Sequence, residues 1–80
     1  MSTYRIKAFG ITREILGTKE AVVEAPVASV QGLRETLYQL YPRLKGLRSL
    51  MIAVNNEYAD DADLLAETDE IALIPPVSGG

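Results

Sequence analysis

The types and order of the six C-terminal residues suit a reaction at the terminal carboxylate. They are Pro75, Pro76, Val77, Ser78, Gly79 and Gly80. Neither proline has an N–H to donate, so the pair ends sheet pairing and holds the backbone extended. The two glycines that follow have the smallest side chains and the widest backbone freedom. Such a tail suits a free carboxylate that enters a narrow slot in another protein; a frayed terminus or an expression scar is the alternative interpretation.

The group best suited to react is the α-carboxylate of Gly80, because the side chains offer little catalytic chemistry. The chain has no Cys and no His, which excludes a thiol nucleophile, Cys/His zinc sites and the usual general base near neutral pH. Its isolated glycines form no phosphate-binding loop. A partner that joins the carboxylate to ATP would produce an acyl-adenylate, which a sulfur or amine nucleophile can attack. We therefore expect no metal and no cofactor bound by this chain, with ATP used by the activating partner.

Composition limits the remaining possibilities. A chain of 80 residues that is 48% hydrophobic and 24% charged is typical of one globular domain. The net charge is −3, and acidic residues concentrate in the last third: Asp60, Asp61, Asp63, Glu67, Asp69 and Glu70. This charge argues against a nucleic-acid partner. The N-terminus lacks an apolar signal core and no apolar run approaches the ~20 residues of a membrane span. We expect no membrane partner and a cytoplasmic location, with which the missing cysteines agree.

The spacing of apolar residues predicts an α+β fold. Strands are expected at 4–9, 20–25, 50–54, 57–59 and 71–74. One main helix follows the N-cap residue Ser29 and carries apolar residues at spacings of three and four from Val30 to Tyr41. The order of these elements predicts a mixed sheet of about five strands packed on this helix. We expect the domain to span 1–74 and an extended tail to span 75–80.

Two connecting segments and one aromatic residue complete the pattern. Residues 11–16 predict about one and a half helical turns, and the basic segment 43–49 predicts a solvated loop. In the first strand, Phe9 has the same parity as Arg5 and Lys7. The only phenylalanine of the chain is therefore expected on the charged, exposed face of the sheet.

Several groups of residues occur in an order shared with a known family. They are Phe9-Gly10 with Arg13-Glu14-Ile15-Leu16-Gly17-Thr18, Ala53-Val54-Asn55-Asn56, Asp69-Glu70-Ile71-Ala72 and the tail 75–80. This arrangement resembles the ubiquitin-like β-grasp sulfur carriers and, in detail, the family of small subunits of molybdopterin synthase. The tail is the most specific of the matching segments. A departure is Ile74, where the family frequently has an aromatic residue.

The resemblance implies a non-catalytic carrier subunit that works through its tail and an apolar patch. Gly80 would receive sulfur as a C-terminal thiocarboxylate, and Gly79 would thread the pocket of the partner. The residues expected to contact partners are Pro75, Pro76, Val77, Ser78, Gly79, Phe9, Tyr58 and Ile74. From the residues alone, the apolar members of this set have ordinary core or scattered surface positions as the alternative.

The same resemblance implies three partners. An adenylyltransferase related to the ubiquitin-activating enzymes would activate Gly80 with ATP, and a sulfur donor system would supply the sulfur. A large catalytic subunit of molybdopterin synthase, in a heterotetramer, would then receive the tail and build the dithiolene of molybdopterin from two loaded carriers. The alternatives are a carrier for thiamine or another sulfur-containing metabolite, a ubiquitin-like protein modifier, and an interaction domain with an inert tail.

Overall fold

The computed structural model of the chain describes residues 2–26, 28–47 and 49–76. Five strands form one mixed sheet in this part of the chain. They are β1 (Ser2–Ala8), β2 (Glu20–Ala25), β3 (Met51–Val54), β4 (Glu57–Tyr58) and β5 (Ile71–Ile74). The predicted tail residues Val77, Ser78, Gly79 and Gly80 lie outside the described residues.

The sheet has the order β2-β1-β5-β3-β4. β1 pairs antiparallel with β2 and parallel with β5, while β3 pairs antiparallel with both β5 and β4. β5 thus has a neighbouring strand on each side, which explains its unbroken apolar run. β2 and β3 run in the same direction with β1 and β5 between them, so the segment that joins them is a crossover connection.

Two α-helices and one 3-10 helix connect the strands. α1 (Ile11–Leu16) follows β1, and α2 (Val30–Leu40) follows β2. Ser29 caps α2 as predicted, because its Oγ accepts a hydrogen bond from the Gly32 N–H at 3.2 Å. The segment predicted as a solvated loop instead contains a 3-10 helix (Pro42–Gly46), whose Leu44 is buried in the core.

The hydrophobic core lies between α2 and one face of the sheet. Its buried residues are Tyr4, Ile6, Val23, Ala25, Val30, Leu33, Leu37, Leu44, Leu50, Ile52, Ile71 and Leu73. Alternate residues of the strands face α2, and each large apolar side chain buried there contributes about 1.5–3 kcal/mol. Leu40 departs from the predicted apolar stripe: it ends α2 and is largely exposed. A mixed five-stranded sheet on one main helix is the β-grasp architecture that the resemblance implied.

Candidate functional site

The face of the sheet that points away from α2 is apolar over β5, β3 and β4. The register places Met51 opposite Ile74, and it places Ala53 opposite both Ala72 and Tyr58. Residues that are directly opposite in a sheet project from the same face. Their neighbours Ile52 and Leu73 pair with each other and are fully buried under α2. The alternation of each strand therefore gives this half of the sheet an apolar outer face as well as an apolar inner one.

A groove of about 360 Å³ crosses this outer face. It is lined by Lys7, Phe9, Ala53, Asn56, Tyr58, Glu70, Ile71, Ala72 and Ile74. All three residues of the patch implied by the resemblance, Phe9, Tyr58 and Ile74, belong to it. Phe9 is 43% exposed and Tyr58 is 70% exposed, whereas Ile74 is half-buried. Clustered exposed aromatic and aliphatic side chains are typical of a surface that binds another protein.

The sequence prediction missed one large apolar residue on this face. Met51 is 43% exposed and pairs with Ile74 across the β3–β5 ladder. The alternation that identifies it is present in the sequence, since Ile52 and Val54 have the opposite parity. It is obscured because the whole segment 50–54 is apolar.

A tight turn between β1 and α1 holds Phe9 in this groove. β1 ends at Ala8, one residue earlier than predicted, so Phe9 lies just beyond the strand. The Thr12 N–H donates to the Phe9 carbonyl at 3.1 Å. The buried Thr12 Oγ1 accepts from the Phe9 N–H at 2.8 Å and donates back to the same carbonyl. Three hydrogen bonds between two residues fix the Phe9 backbone, so its ring is presented from a rigid position.

The other half of the outer face is charged. β1 and β2 place Arg5 opposite Val22 and Lys7 opposite Glu20. A larger groove of about 700 Å³ lies here, between these strands and the loop before β5. Lys7 Nζ lies 3.5 Å from Glu70 Oε1, at the boundary between the charged and the apolar halves. Because both side chains are about half exposed, this ion pair adds little stability.

The loop before β5 is fixed by the turn between β3 and β4. Asn55 and Asn56 have φ angles of 53° and 68°, in the left-handed region that asparagine tolerates. The Asn55 N–H donates to the Glu70 carbonyl at 2.8 Å, and Asn55 Oδ1 accepts from the Glu70 N–H at 2.9 Å. The Asp69 pKa is lowered, first because the Ala66 N–H donates to its carboxylate and second because the Asn55 amide does. These contacts hold Glu70 beside the groove.

The base of the predicted tail also lies at the groove. β5 ends at Ile74, and Pro75 and Pro76 follow it outside the sheet, both half-buried. Pro75 lies against the turn that carries Phe9, because a Cβ placed on Gly10 would be 3.2 Å from Pro75 Cγ. The chain therefore leaves the sheet beside the exposed aromatic ring. The predicted reactive residues, Gly79 and Gly80, lie outside the described residues.

Within residues 2–26, 28–47 and 49–76, no three acidic side chains come together in a way that would hold a metal ion. The helices there are also too short or too polar for any of them to cross a membrane.

Comparison with known proteins connects this geometry to a family. Residues 6–80 match the ThiS family. The molybdopterin synthase sulfur carrier subunit of Caenorhabditis briggsae is 36% identical over 84 residues, which cover 100% of this chain and 100% of that protein. The small archaeal modifier protein 1 of Methanosarcina acetivorans has a TM-score of 0.81 at 28% identity, covering 100% of this chain and 98% of that one. These matches confirm the ubiquitin-like β-grasp fold.

One similar solved structure is a complex. It contains subunits 1 and 2 of the molybdopterin-converting factor from Helicobacter pylori, and the matching chain has a TM-score of 0.67 at 26% identity. The similarity covers 98% of this chain and 99% of that one. A protein of this fold therefore associates with a second, different subunit.

Proposed function

Because this chain belongs to the ThiS family, we propose that it is the sulfur carrier subunit of a molybdopterin synthase and carries sulfur on Gly80. The observation that carries the proposal is the apolar groove lined by Phe9, Tyr58 and Ile74. It lies where the chain leaves the sheet as Pro75 and Pro76, so a partner that covers the groove also receives the tail. The relatives named as sulfur carrier subunits, similar over the whole chain, support the same function.

The chemistry of loading takes place on the α-carboxylate of Gly80. A carboxylate oxygen attacks the α-phosphorus of ATP, and pyrophosphate leaves, which gives an acyl-adenylate. A donor with sulfur at the oxidation level of sulfide then attacks the acyl carbon: a C–S bond forms, the C–O bond to AMP breaks, and a thiocarboxylate remains. If the donor is a persulfide, a thiol must reduce the resulting acyl disulfide. An adenylyltransferase supplies the nucleotide site, and this chain supplies the acyl group.

Delivery requires a second partner with its own catalytic pocket. We expect a large subunit to cover the apolar groove and to take up the tail, with the loaded Gly80 directed at a pterin precursor. Burial of the exposed Phe9 and Tyr58 rings supplies affinity, since aromatic side chains dominate the energetics of many interfaces. Gly79 has no side chain to obstruct a narrow channel. Both activation and delivery are then expected in the cytoplasm. The carrier has no cysteines, so its fold needs no disulfide bonds and suits a reducing compartment.

A second candidate function is protein modification. It is favoured by the similarity to a small archaeal modifier protein, which covers the whole of this chain. In that case the amine of a substrate lysine, rather than a sulfur donor, attacks the acyl group of activated Gly80. The groove and tail serve both functions, so the two candidates differ in the nucleophile alone.

A purified reaction separates the two candidates. The loaded carrier is mixed with the large subunit and the pterin precursor, and the dithiolene product and the carrier consumed are measured. The proposal predicts two loaded carriers consumed per product and no product with a chain lacking Gly80. Transfer of the chain to lysines without pterin product would favour the modifier function and contradict the sulfur carrier.

A further inference from the structure

The turn from β1 into α1 touches the base of the tail at one glycine. Gly10 has φ 56° and ψ −132°, a backbone conformation that residues other than glycine rarely adopt. A Cβ on this residue would lie 3.2 Å from Pro75 Cγ. This distance is shorter than an ordinary van der Waals contact, so any side chain at position 10 pushes on the proline ring. Position 10 thus favours glycine for two reasons: its own backbone conformation and the close approach of Pro75.

The same turn fixes the aromatic ring of the groove. Gly10 lies between Phe9 and the buried Thr12, whose hydroxyl bonds both to the Phe9 N–H and to the Phe9 carbonyl. A further hydrogen bond of this turn joins the Arg13 N–H to the Gly10 carbonyl at 3.1 Å. The backbone at Phe9 and Gly10 is therefore rigid. The ring of Pro75 fixes its φ angle. Pro75 therefore packs in a defined position against this rigid turn, beside the Phe9 ring.

We propose that Gly10 is a positioning residue that sets the direction in which the tail leaves the domain. Its missing Cβ allows Pro75 to pack on the β1–α1 turn, and this turn also presents Phe9 to the partner. The β1–α1 turn then fixes both the position of the Phe9 ring and the direction in which Gly80 approaches the partner's catalytic groups. This inference rests on the proposed function, because a tail that delivers no acyl group has no need of a fixed direction.

The chain provides matched controls for this residue. Gly17 also has a positive φ, 76°, but no atom lies within 4 Å of a Cβ placed there. Gly17→Ala therefore introduces left-handed backbone strain without touching Pro75. Gly46 has open space around its Cβ position and no positive φ. Gly46→Ala controls for the added methyl group alone.

The effect is measured in sulfur transfer from the loaded carrier to the large subunit. Gly10→Ala is expected to lower kcat by about tenfold to a hundredfold, because small errors in the position of reacting groups have effects of this size. The half-saturating concentration of loaded carrier should change far less than kcat, since Gly10 itself does not line the groove. Gly17→Ala and Gly46→Ala should keep both constants. Equal kcat values for Gly10→Ala and Gly17→Ala would overturn the inference.

A second substitution removes the contact between Gly10 and Pro75 from the Pro75 side. Pro75→Ala deletes the Cγ atom that approaches Gly10 and should also lower kcat. The loss of kcat in the double variant Gly10→Ala/Pro75→Ala should be smaller than the product of the two single losses, because the shared contact can be lost only once. If Gly10→Ala does not fold, Pro75→Ala decides alone: an unchanged kcat would overturn the inference.

A readout on the isolated chain keeps this inference separate from the proposed function. Nuclear Overhauser contacts between the Gly10 α-protons and the Pro75 ring protons should be present in the wild type and in Gly17→Ala. If they are present and the wild type transfers no sulfur, the proposed function fails. If the wild type transfers sulfur and these contacts are missing, the positioning role fails by itself.

Discussion

The two faces of the sheet are both apolar over β5 and β3, but only one of them is used for folding. On the inner face, Ile52 and Leu73 pair across the ladder and are fully buried beneath α2. On the outer face, one residue along each strand, Met51 pairs with Ile74 and leaves nearly half of its surface in water. Isolated apolar residues on a surface are ordinary, but a continuous groove of them indicates a binding site. The inner face therefore contributes stability, and the outer face is the one proposed to bind a partner.

The largest effect is expected on the inner face. Leu37 of α2 is fully buried in the core cluster. Leu37→Ala removes a large side chain from this cluster and should lower the free energy of unfolding by about 2–5 kcal/mol. Chemical denaturation measures this loss. The folded fraction of the variant should still bind the partner with wild-type affinity, and a loss of affinity in that fraction would show that the two faces are coupled.

The next largest effect is expected on the outer face, where a substitution should weaken binding more than it lowers stability. Phe9→Ala should weaken binding to the large subunit by about 2 kcal/mol, because aromatic residues at the centre of an interface have effects of this size. Its free energy of unfolding should change far less than the roughly 3–5 kcal/mol lost by a core phenylalanine. Calorimetry of binding and denaturation of the same variant test both halves of this statement. Strong destabilisation with intact affinity would place Phe9 in the folding core instead.

A matched control lies on the same outer face, outside the apolar groove. Val22 of β2 is 65% exposed and faces Arg5 in the charged half. Val22→Ala should change both the affinity and the free energy of unfolding by no more than about 0.5 kcal/mol, as is usual for surface substitutions. A loss of affinity as large as that of Phe9→Ala would extend the docking surface across the whole sheet.

The smallest expected effect concerns the loop that borders the groove. The folded-state pKa of Asp69 is lowered because its carboxylate accepts hydrogen bonds from the Ala66 N–H and the Asn55 amide. The stabilisation is therefore complete above the ordinary pKa of an aspartic acid, and it is lost as the pH falls through the lowered one. Asp69→Asn should lose less stability than the wild type over this acidic range. An identical pH dependence of unfolding in both chains would show that Asp69 contributes nothing measurable.

Local patterns in the sequence predicted most of the fold. Period two in the strands, the Ser29 cap and the spacing of Val30, Leu33 and Leu37 are properties of neighbouring residues, and the structure confirms them. The parity of Phe9 predicted an exposed ring, and the ring is indeed partly exposed, although the strand ends at Ala8. Each of these predictions needs a few adjacent residues and no tertiary information.

The remaining features depend on residues that are far apart in the chain or on patterns that overlap. The outward position of Met51 is masked by an unbroken apolar segment, and the burial of Leu44 is hidden in a basic one. The approach of Pro75 to Gly10 joins the two ends of the domain. No local spacing encodes that contact, because it follows from the parallel pairing of β1 with β5. The contact at the base of the tail therefore required the three-dimensional structure.

As the proposed sulfur carrier, this chain would hold sulfur on its C-terminal carboxylate. The most direct measurement is the intact mass of the chain after incubation with its adenylyltransferase, ATP and a sulfur donor, followed by fragmentation. The account predicts a mass increase equal to the exchange of one oxygen for one sulfur, located at Gly80. It predicts no change when the chain is incubated with ATP alone or lacks Gly80. Sulfur attached elsewhere, or pyrophosphate released by the isolated chain, would contradict the account.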